Sequence, residues 1–592
     1  MPSLWLEGNR IRTRTPYDPA LPPRFREIRG TWRPSDRTWS FPLQAFPHLP
    51  HALFPREEVH ALCRFLREKV VGAWHRAEAW REEGLLLPEQ AEDLRLVWRA
   101  FARFLLRGGP KGFLLANGTG TGKTYLYSAF AAMAQDLGYR PLVVVPNEDI
   151  ARQAREVLAL FGAGARLTTY ARLNPKEADE TTLLILDEAH LAKRLGSGGS
   201  KRAEAALHAG FRSAFVLYVS ATPFDKPWEI GYILRPTGLH RHLGYADVDA
   251  FLREFKVYTR ANPGGGKEYY FAGGVEDLKR FHDTLARAGF ACKRLFTAPV
   301  PVEYEVPVLE GIGAEEKRLL AEVRRRLKEA ARGASPEDRG LIMAHRTLLS
   351  RAMLERMKLR AAFGLLRSLL AEGWHVLLFL QYRGERELDL STEEGLEALW
   401  EEAEARGNKV LHTYLLTALA GLTLRFPSPT AMIREAFADL GEALAFYTGA
   451  ETEAVLRGVK ARWDRGEVRL LVATAAKGGT GLSLHDTTGK RPTAQVVLTL
   501  PWTATQLDQI LGRTVRVGMK SPVRVVLPAA PVPFERRLAK TIAYSLHTLG
   551  HAVRGGVEVV PRRVVEAFLH DLAAVDPGLF ARLMQEEEAL AP

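Results

Sequence analysis

The chain has 592 residues, with 82 Lys and Arg against 69 Asp and Glu, and a formal net charge of +13. This length predicts three or four domains at roughly 100–200 residues each, and two cysteines exclude a disulfide-stapled mini-protein and a cysteine-based zinc cluster. The N-terminus lacks a signal peptide, and no apolar run reaches the roughly 18 residues of a membrane span. We therefore expect a soluble, cytoplasmic protein of a bacterial, archaeal or phage-infected cell. The basic charge raises the expectation of a nucleic-acid partner without establishing one.

The charge is unevenly distributed along the chain. Residues 1–50 carry eight arginines and four acids, and residues 317–360 carry thirteen basic and five acidic side chains in a strongly helical pattern. Residues 385–404 have the opposite balance, with nine acids and one base. The two basic stretches are candidate contacts to a nucleic acid, although a solvated helix face has the same composition. Any partner should therefore bind locally rather than over the whole surface.

Short apolar runs alternate with helical segments over residues 111–235 and again over 360–530. The runs are 113–115, 142–145, 183–186, 214–219, 376–380, 470–473 and 496–500. Runs of this length, bounded by turn residues, are typical of buried parallel strands joined by crossover helices. We therefore predict an α/β fold with two parallel-sheet domains. The predicted divisions are a small N-terminal domain over 1–55, a first α/β domain with a helical lead-in over 56–239, a basic helical region over 240–360, a second α/β domain over 361–530, and a helical tail over 531–592.

The first of these strands runs into a glycine-rich loop and then a helix predicted over 125–137. The loop residues are Asn117, Gly118, Thr119, Gly120, Thr121, Gly122, Lys123 and Thr124. In such an arrangement, backbone N–H groups and the helix N-terminus surround phosphate oxygens. Lys123 is expected to reach the β- and γ-phosphates of ATP, and the Thr124 hydroxyl to bind Mg²⁺. The strict pattern has glycine at the position of Asn117, and asparagine tolerates the positive φ of such a turn.

Asp187 and Glu188 follow the apolar run 183–186, at the carboxyl end of a predicted strand. An aspartate there can hold the water shell of Mg²⁺, and an adjacent glutamate can polarise the water that attacks the γ-phosphate. Together with the phosphate loop, the pair predicts hydrolysis of ATP, with Asp187 and Thr124 as the metal ligands.

Four motifs, taken in chain order, resemble those of the DEAH-type helicases and translocases of superfamily 2. They are the phosphate loop, Asp187-Glu188-Ala189-His190, Ser220-Ala221-Thr222-Pro223, and Gln509-Ile510-Leu511-Gly512-Arg513-Thr514-Val515-Arg516. The resemblance spans roughly residues 85–530 and implies two RecA-like P-loop domains with ATP between them. It implies that Arg513 and Arg516 act as arginine fingers on the γ-phosphoryl group. The resemblance also implies a set of residues that couple the nucleotide to domain motion: His190, Ser220, Thr222 and Gln509.

The resemblance also implies further contacts. Gln90 is similar in position to the glutamine that reads the adenine edge, although a surface glutamine is an equal explanation. Gly481 lies in the segment that links nucleic acid to ATP. The residues that match the family's DNA-strand contacts are Pro146, Thr168, Tyr382 and Thr474.

Two other segments point to a branch of the superfamily. Residues 481–486, with 500–502 and 512–523, look like the Strawberry notch group and the chromatin-remodeller branch. The N-terminal residues Arg29, Trp32 and Trp39 lie in a stretch that resembles the small HARP domain of annealing helicases, which implies contacts to forked or junction DNA. Aromatic residues at this spacing are also typical of a small hydrophobic core, which we favour. An acidic insertion at about 385–425 departs from the family pattern and has no assigned role.

The resulting hypothesis is an ATP-dependent DNA helicase or translocase that acts on duplex, forked or junction DNA, with ATP and Mg²⁺ as cofactors. Replication, repair or phage replication proteins are candidate partners. Three alternatives stay open: the motor subunit of a restriction or defence complex, a P-loop kinase or NTPase that does not act on nucleic acid, and a non-catalytic DNA-binding scaffold. The second domain with Arg513 and Arg516 argues against the NTPase. Intact Lys123, Asp187 and Glu188 argue against the scaffold.

Overall fold

A computed structural model describes residues 2–118, 121–193, 200–261, 267–292, 300–382, 384–402, 409–448, 451–475, 483–516 and 518–553. The chain divides into two compact units, Met1–Leu295 with Thr548–Val557, and Phe296–His547 with Glu558–Pro592. Each unit contains a six-stranded parallel sheet. The predicted α/β fold with two parallel-sheet domains is therefore confirmed. Within the described part of the chain, no helix combines the length and apolar character needed to cross a membrane.

The first unit begins with a small antiparallel sheet whose strand order is β1-β2-β4-β3. Its elements are β1 (Ser3–Glu7), β2 (Arg10–Arg14), α1 (Leu21–Glu27), β3 (Thr31–Arg33) and β4 (Thr38–Pro42). One face of this sheet buries Leu4, Ile11 and Phe41, because side chains alternate between the faces of a strand. These residues join one hydrophobic core with the rest of the unit, so the N-terminal sheet packs on the first α/β domain.

The remaining elements of the first unit form a parallel sheet with its helices and one hairpin. In chain order they are α2 (Arg56–Glu82), α3 (Pro88–Arg107), β5 (Gly112–Leu115), α4 (Lys123–Gln135), β6 (Arg140–Val145), α5 (Glu148–Leu160), β7 (Arg166–Thr169), β8 (Thr182–Asp187), α6 (Lys201–Arg212), β9 (Phe215–Val219), α7 (Gly231–Thr237), α8 (Leu239–His242), α9 (Val248–Glu254), β10 (Val257–Ala261), β11 (Lys267–Phe271), α10 (Val275–Arg287) and β12 (Ala291–Cys292). The strand order is β12-β5-β9-β8-β6-β7, with β10 and β11 pairing only with each other. Apolar runs produce these strands because both faces of the sheet are covered.

The short helix that follows β4, Leu43–His48, contacts residues that precede the parallel strands. The Gln44 Nε2 donates to the Glu180 carbonyl at 2.7 Å, and the Tyr139 hydroxyl donates to Gln44 Oε1 at 3.0 Å. Glu180 and Tyr139 lie just before β8 and β6. The small sheet therefore lies at the amino edge of the parallel sheet.

The second unit has the same layered design. Its elements are β13 (Val302–Glu305), α11 (Ala314–Gly333), α12 (Pro336–Ala371), β14 (His375–Leu380), β15 (Leu388–Asp389), α13 (Glu393–Glu402), α14 (Lys409–Leu419), β16 (Arg425–Phe426), α15 (Pro429–Ala436), β17 (Leu444–Tyr447), α16 (Glu453–Asp464), β18 (Leu470–Thr474), β19 (Thr493–Val497), α17 (Ala504–Leu511), β20 (Val523–Val526) and α18 (Pro533–Thr548). The sheet order is β13-β20-β19-β14-β18-β17, and all pairs are parallel. The acidic insertion lies between β14 and β17, as the short β15–β16 pair and helices α13 to α15.

The position of the basic stretch 317–360 in the fold differs from the one expected for a nucleic-acid contact. Residues 240–360 divide between the two units, and α11 and α12 pack in the core of the second unit. Six of the thirteen basic side chains are buried: Lys317, Arg324, Arg346, Arg351, Arg356 and Lys358. Arg325, Arg326 and Arg360 form ion pairs with glutamates of α11. Much of the charge surplus therefore serves the internal packing of the second unit.

Candidate nucleotide site

The phosphate loop lies at the carboxyl edge of the first parallel sheet. Strands β5, β6, β7, β8 and β9 are parallel neighbours, so the segments that follow them meet at one edge. The strand that ends in Asp187 is separated from the phosphate-loop strand by β9 alone. The loop, the carboxylate pair and the Ser220 segment are thereby brought to the same edge.

Gly122 begins the phosphate-binding helix in a left-handed conformation, with φ 75°. A Cβ there would come within 2.2 Å of Gln90 Nε2, so this position requires glycine both for backbone conformation and for space. The Lys123 Nζ donates to the carbonyls of Asn117 and Gly118 at 3.2 and 3.0 Å. The helix runs over Lys123–Gln135, two residues earlier than predicted. The predicted loop residues Thr119 and Gly120 lie outside the described residues.

Side chains of helix α3 hydrogen-bond to the phosphate loop. The Gln90 Nε2 donates to the Thr121 carbonyl at 3.2 Å, and its Oε1 accepts from the Leu87 N–H at 3.0 Å. The Asn117 Nδ2 donates to Asp93 Oδ2 at 2.8 Å, with both side chains buried. Asp93 was not predicted from the sequence, although an acid on the otherwise apolar face of α3 could have indicated it. Gln90 therefore lies beside the phosphate loop, and Asp93 holds the residue that departs from the strict glycine pattern.

Asp187 is buried and Glu188 is half-buried, and their carboxylates are adjacent in the chain. Asp187 ends β8, and Glu188 has a left-handed backbone with φ 50°. Burial, followed by repulsion from Glu188, raises the pKa of Asp187 to about 7, while the Lys123 cation opposes the shift. The Tyr170 hydroxyl donates to the Asp187 carbonyl at 2.9 Å. Tyr170 is a supporting residue that sequence reasoning did not assign.

His190 joins the carboxylate pair to the segment after β9. Its Nδ1 lies 3.4 Å from Glu188 Oε2 and 3.1 Å from Ser220 Oγ. Ser220 Oγ also accepts from the Thr222 N–H at 3.2 Å. The structure thus brings together three of the four residues expected to couple the nucleotide to domain motion, and all three lie in the first unit.

The residues at this edge fit ATP with Mg²⁺. Asp187, whose pKa is raised, and the adjacent carboxylate of Glu188 suit a divalent cation, because a nearby positive charge favours the ionised form of a carboxyl group. Lys123 supplies a cation for phosphate, and the start of α4 supplies backbone N–H groups. Thr124, directly after Lys123 on α4, would hold the metal together with Asp187.

The predicted arginine fingers lie in the second unit. Arg513 follows α17 and is buried, and its carbonyl accepts from the Leu484 N–H at 3.0 Å. The Arg516 Nη1 donates to Ser483 Oγ at 2.5 Å, and burial lowers the pKa of this arginine. Gln509 is buried on α17. Gly481 lies outside the described residues.

The predicted nucleic-acid contacts divide into accessible and inaccessible groups. Pro146 and Thr168 are half-buried at the carboxyl edge of the first sheet. Tyr382 and Thr474 are buried in the second unit, where the Thr474 hydroxyl donates to the Thr448 carbonyl at 3.1 Å. The side chains of Tyr382 and Thr474 therefore serve packing. The structure does not place them where they would contact a nucleic acid, contrary to the prediction.

The predicted N-terminal contacts are also mixed. Trp39 is buried against Phe25 with ring centroids 5.4 Å apart, as the core-packing alternative expects, so its ring cannot stack on a base. Trp32 is 44% exposed on the edge strand β3. Arg29 donates to the carbonyls of Phe211 and Arg212 at the end of α6. Its guanidinium therefore has a structural role, and Trp32 remains the accessible aromatic of the three.

Two unpredicted residues of α12 position the carboxyl edge of the second sheet. The buried Glu355 accepts from the N–H groups of Gln381 and Tyr382 at 2.7 and 3.1 Å, directly after β14. Arg351 donates to the Leu500 carbonyl at 2.7 Å and stacks on Trp502 at 4.1 Å. Their separation from these partners by 26 to 149 positions explains why no local pattern indicated them.

A comparison with protein families matches a segment of the chain that includes the phosphate loop. Residues 84–170 match a family described as "Type III restriction enzyme, res subunit". A stretch of 92 residues is 35% identical to the "Putative ATP-dependent RNA helicase L364" of Acanthamoeba polyphaga mimivirus, and it covers 15% of this chain and 17% of that protein.

Two solved structures align with most of the chain at low sequence identity. The Sulfolobus solfataricus SWI2/SNF2 ATPase core in complex with dsDNA is 14% identical, covering 82% of this chain and 96% of that one, with a TM-score of 0.30. S. cerevisiae Dbp5 bound to RNA and ADP BeF3 is 11% identical, covering 82% and 97%, with a TM-score of 0.36.

Proposed function

We propose that the chain is an ATP-dependent helicase or translocase of superfamily 2 that moves along DNA. The observation that carries the proposal is the connected set in the first unit, where Glu188 and Ser220 both contact His190 at the edge that holds the phosphate loop. A simple phosphotransferase needs the loop and an acid, whereas a link from the attacking-water residue to the next strand suits a motor that converts nucleotide state into motion.

Each residue of the site has a defined task in this proposal. Lys123 binds the β- and γ-phosphates and orients them, and Asp187 holds the metal. ATP would supply the γ-phosphoryl group that passes to water with ADP as the leaving group, and Mg²⁺ would neutralise charge on the phosphate oxygens. Glu188 accepts a proton from that water, and His190 passes the change in hydrogen bonding to Ser220. Arg513 and Arg516 of the second unit stabilise the charge that develops on the phosphoryl oxygens.

The first test removes the two central charges of the site. Lys123→Ala and Glu188→Gln should each lower steady-state ATP hydrolysis at least about 100-fold, because phosphate stabilisation and water activation are each worth that factor or more. Lys201→Ala and Glu156→Gln change exposed residues of the same unit and are the matched controls. Turnover in either site variant that equals its control would contradict the assignment.

The second test identifies the nucleic acid. ATP hydrolysis is compared with single-stranded, duplex and forked DNA and with RNA, and we expect the largest stimulation from duplex or forked DNA. Because binding through phosphates releases counterions, the stimulation should fall steeply as salt rises. Hydrolysis that ignores every nucleic acid would favour an NTPase of another kind.

One observation favours a second candidate, the motor subunit of a restriction or defence complex. The match of residues 84–170 is to the res subunit of type III restriction enzymes. Co-purification of the tagged chain with a methyltransferase or a nuclease would support this candidate. A chain that stays unaccompanied and is fully stimulated by DNA would support an independent motor.

A further inference from the structure

The hairpin of β10 and β11 is an element that the nucleotide site does not use. Its register pairs Tyr258 with Tyr270 and Arg260 with Glu268, so these four side chains share one face. The pair Thr259 and Tyr269 belongs to the opposite face. A two-stranded hairpin is marginally stable by itself, so one of its faces needs support from the rest of the unit.

The inner face supplies that support. The Tyr269 hydroxyl donates to Asp249 Oδ1 of α9 at 2.7 Å, and Val257 is buried. No described residue covers the outer face in the same way: Tyr270 is 39% exposed, and Tyr258 is half-buried beside it with ring centroids 5.9 Å apart. We call Tyr258, Arg260 and Tyr270 the hairpin face. Two tyrosine rings are thus held at the surface by an anchored strand pair.

The hairpin segment carries a small basic surplus. Residues 253–271 contain four basic and two acidic residues. Arg260 lies over the Tyr270 ring at 5.8 Å and pairs with Glu268 at 2.9 Å, and Lys256 is exposed at the base of β10. Exposed aromatic rings with neighbouring cations suit a strand of nucleic acid, because bases stack on the rings and phosphates pair with the cations.

The base of the hairpin is packed against the segment that follows β9. Phe255, next to β10, contacts Phe281 of α10 with ring centroids 5.2 Å apart. Phe281 contacts Phe224 at 5.7 Å, and Phe224 lies two residues after Thr222. The hairpin therefore originates beside the Ser220–Thr222 segment that contacts His190.

We propose that the hairpin face binds single-stranded nucleic acid by stacking bases on Tyr258 and Tyr270. This inference rests on the proposed motor function and adds a contact for the unpaired strand. The anchored inner face keeps the rings in place, so the stacking of a base costs little side-chain conformational entropy. The three-phenylalanine contact connects that strand to the segment that responds to the nucleotide.

The test removes the rings and then restores them. A double variant, Tyr258→Ala with Tyr270→Ala, should bind fluorescein-labelled oligothymidylate and oligouridylate about a hundredfold more weakly, because each of the two stacked bases contributes about tenfold to affinity in single-strand-binding proteins. Tyr258→Phe with Tyr270→Phe should bind like the wild type, since the rings remain. Tyr17→Ala removes a 91% exposed tyrosine elsewhere in the unit and is the control. Melting curves establish that all variants are folded.

Each result supports or overturns the proposal. Loss of single-strand binding with unchanged duplex binding and unchanged basal hydrolysis supports it, and the two oligonucleotides show whether DNA or RNA is preferred. Equal binding by the double alanine variant and the wild type overturns the hairpin contact and leaves the motor function standing. A wild-type enzyme that no nucleic acid stimulates would instead overturn the proposed function itself.

Discussion

Lys358 and Glu535 form an ion pair with no exposed side-chain surface in the second unit. The Lys358 Nζ also donates to the Pro528 carbonyl at 2.5 Å, and Glu535 accepts from the Ala530 N–H. Burial lowers the pKa of Lys358 and raises the pKa of Glu535, and their mutual attraction opposes both shifts. The pair therefore depends on both partners being present.

Removal of one partner should lower the free energy of unfolding far more than removal of both. Lys358→Met leaves a buried carboxylate unpaired and should lower the free energy of unfolding by about 3–5 kcal/mol. The double variant Lys358→Met with Glu535→Leu should recover most of that loss, because no buried charge remains. Urea denaturation of the wild type and both variants measures this. A double variant no more stable than the single one would contradict the expectation.

Glu355 makes the stability of the second unit sensitive to pH. Burial raises its pKa to about 7, while the N–H groups of Gln381 and Tyr382 and the cations of Arg356 and Arg351 oppose the shift. An unfolded glutamate ionises near about pH 4, so between that value and about 7 the folded state holds the extra proton. The stabilising contribution is therefore complete at low pH and is lost as pH rises through about 7.

Glu355→Gln should flatten this dependence, because the amide does not titrate. We expect the free energy of unfolding of the wild type to fall more than that of the variant between about pH 5 and pH 8. Chemical denaturation at the two pH values checks the difference. Parallel pH profiles for the two proteins would exclude Glu355 as the source.

The site residues that were predicted lie close in sequence to their partners, whereas the residues that were missed lie far in sequence from theirs. Lys123, Asp187 and Glu188 lie in short contiguous motifs, where backbone geometry alone brings the chemistry together. Tyr170 and Glu355 act on backbone groups 17 to 27 positions away, and only the packing of the sheets selects them. Local sequence therefore indicates the groups that react, and not the groups that hold them.

At the scale of elements, the C-terminus of α6 is held by two cations. The Lys111 Nζ donates to the carbonyls of Gly210, Phe211 and Ser213, and Arg29 of the N-terminal domain donates to Phe211 and Arg212. Cations are favourable there because the last carbonyls of a helix carry partial negative charge. This contact ties the small sheet to a helix that packs against the His190 turn.

Arg29→Ala should loosen the attachment of the N-terminal sheet. Loss of two charge-assisted hydrogen bonds is worth about 1–3 kcal/mol, so amide hydrogen exchange in the last turn of α6 and in β4 should accelerate. The neighbouring Arg26→Ala, which removes an exposed arginine, is the control. Exchange rates that are the same in both variants would show that Arg29 does not secure the sheet.

The type of each element followed from hydrophobic periodicity more reliably than its limits. Six of the seven predicted strands coincide with observed strands to within a few residues, whereas the run 496–500 continues past β19, which ends at Val497. The added residues 498–500 are buried without extending the strand. Burial and strand pairing are separate properties, and an apolar run reports the first.

The whole molecule uses its basic charge in two ways. Part of the +13 surplus stabilises the second unit through buried arginines of α11 and α12, and part is exposed around the hairpin face and the N-terminal sheet. Net charge therefore raised the expectation of a nucleic acid without indicating which basic segment would be accessible. That distinction depends on which helix faces the sheet covers.

The proposed catalytic residues are distributed over both units. Lys123, Asp187 and Glu188 belong to the first unit, and Arg516 belongs to the second. If Arg516 stabilises the transition state, Arg516→Ala should bind a fluorescent ATP analogue within about threefold of the wild type and hydrolyse ATP at least about 1,000-fold more slowly. Arg425→Ala, which removes an exposed arginine of the same unit, is the control. Weakened binding with unchanged hydrolysis of bound nucleotide would instead make Arg516 a binding residue, because an interaction made equally in ground and transition states does not alter turnover.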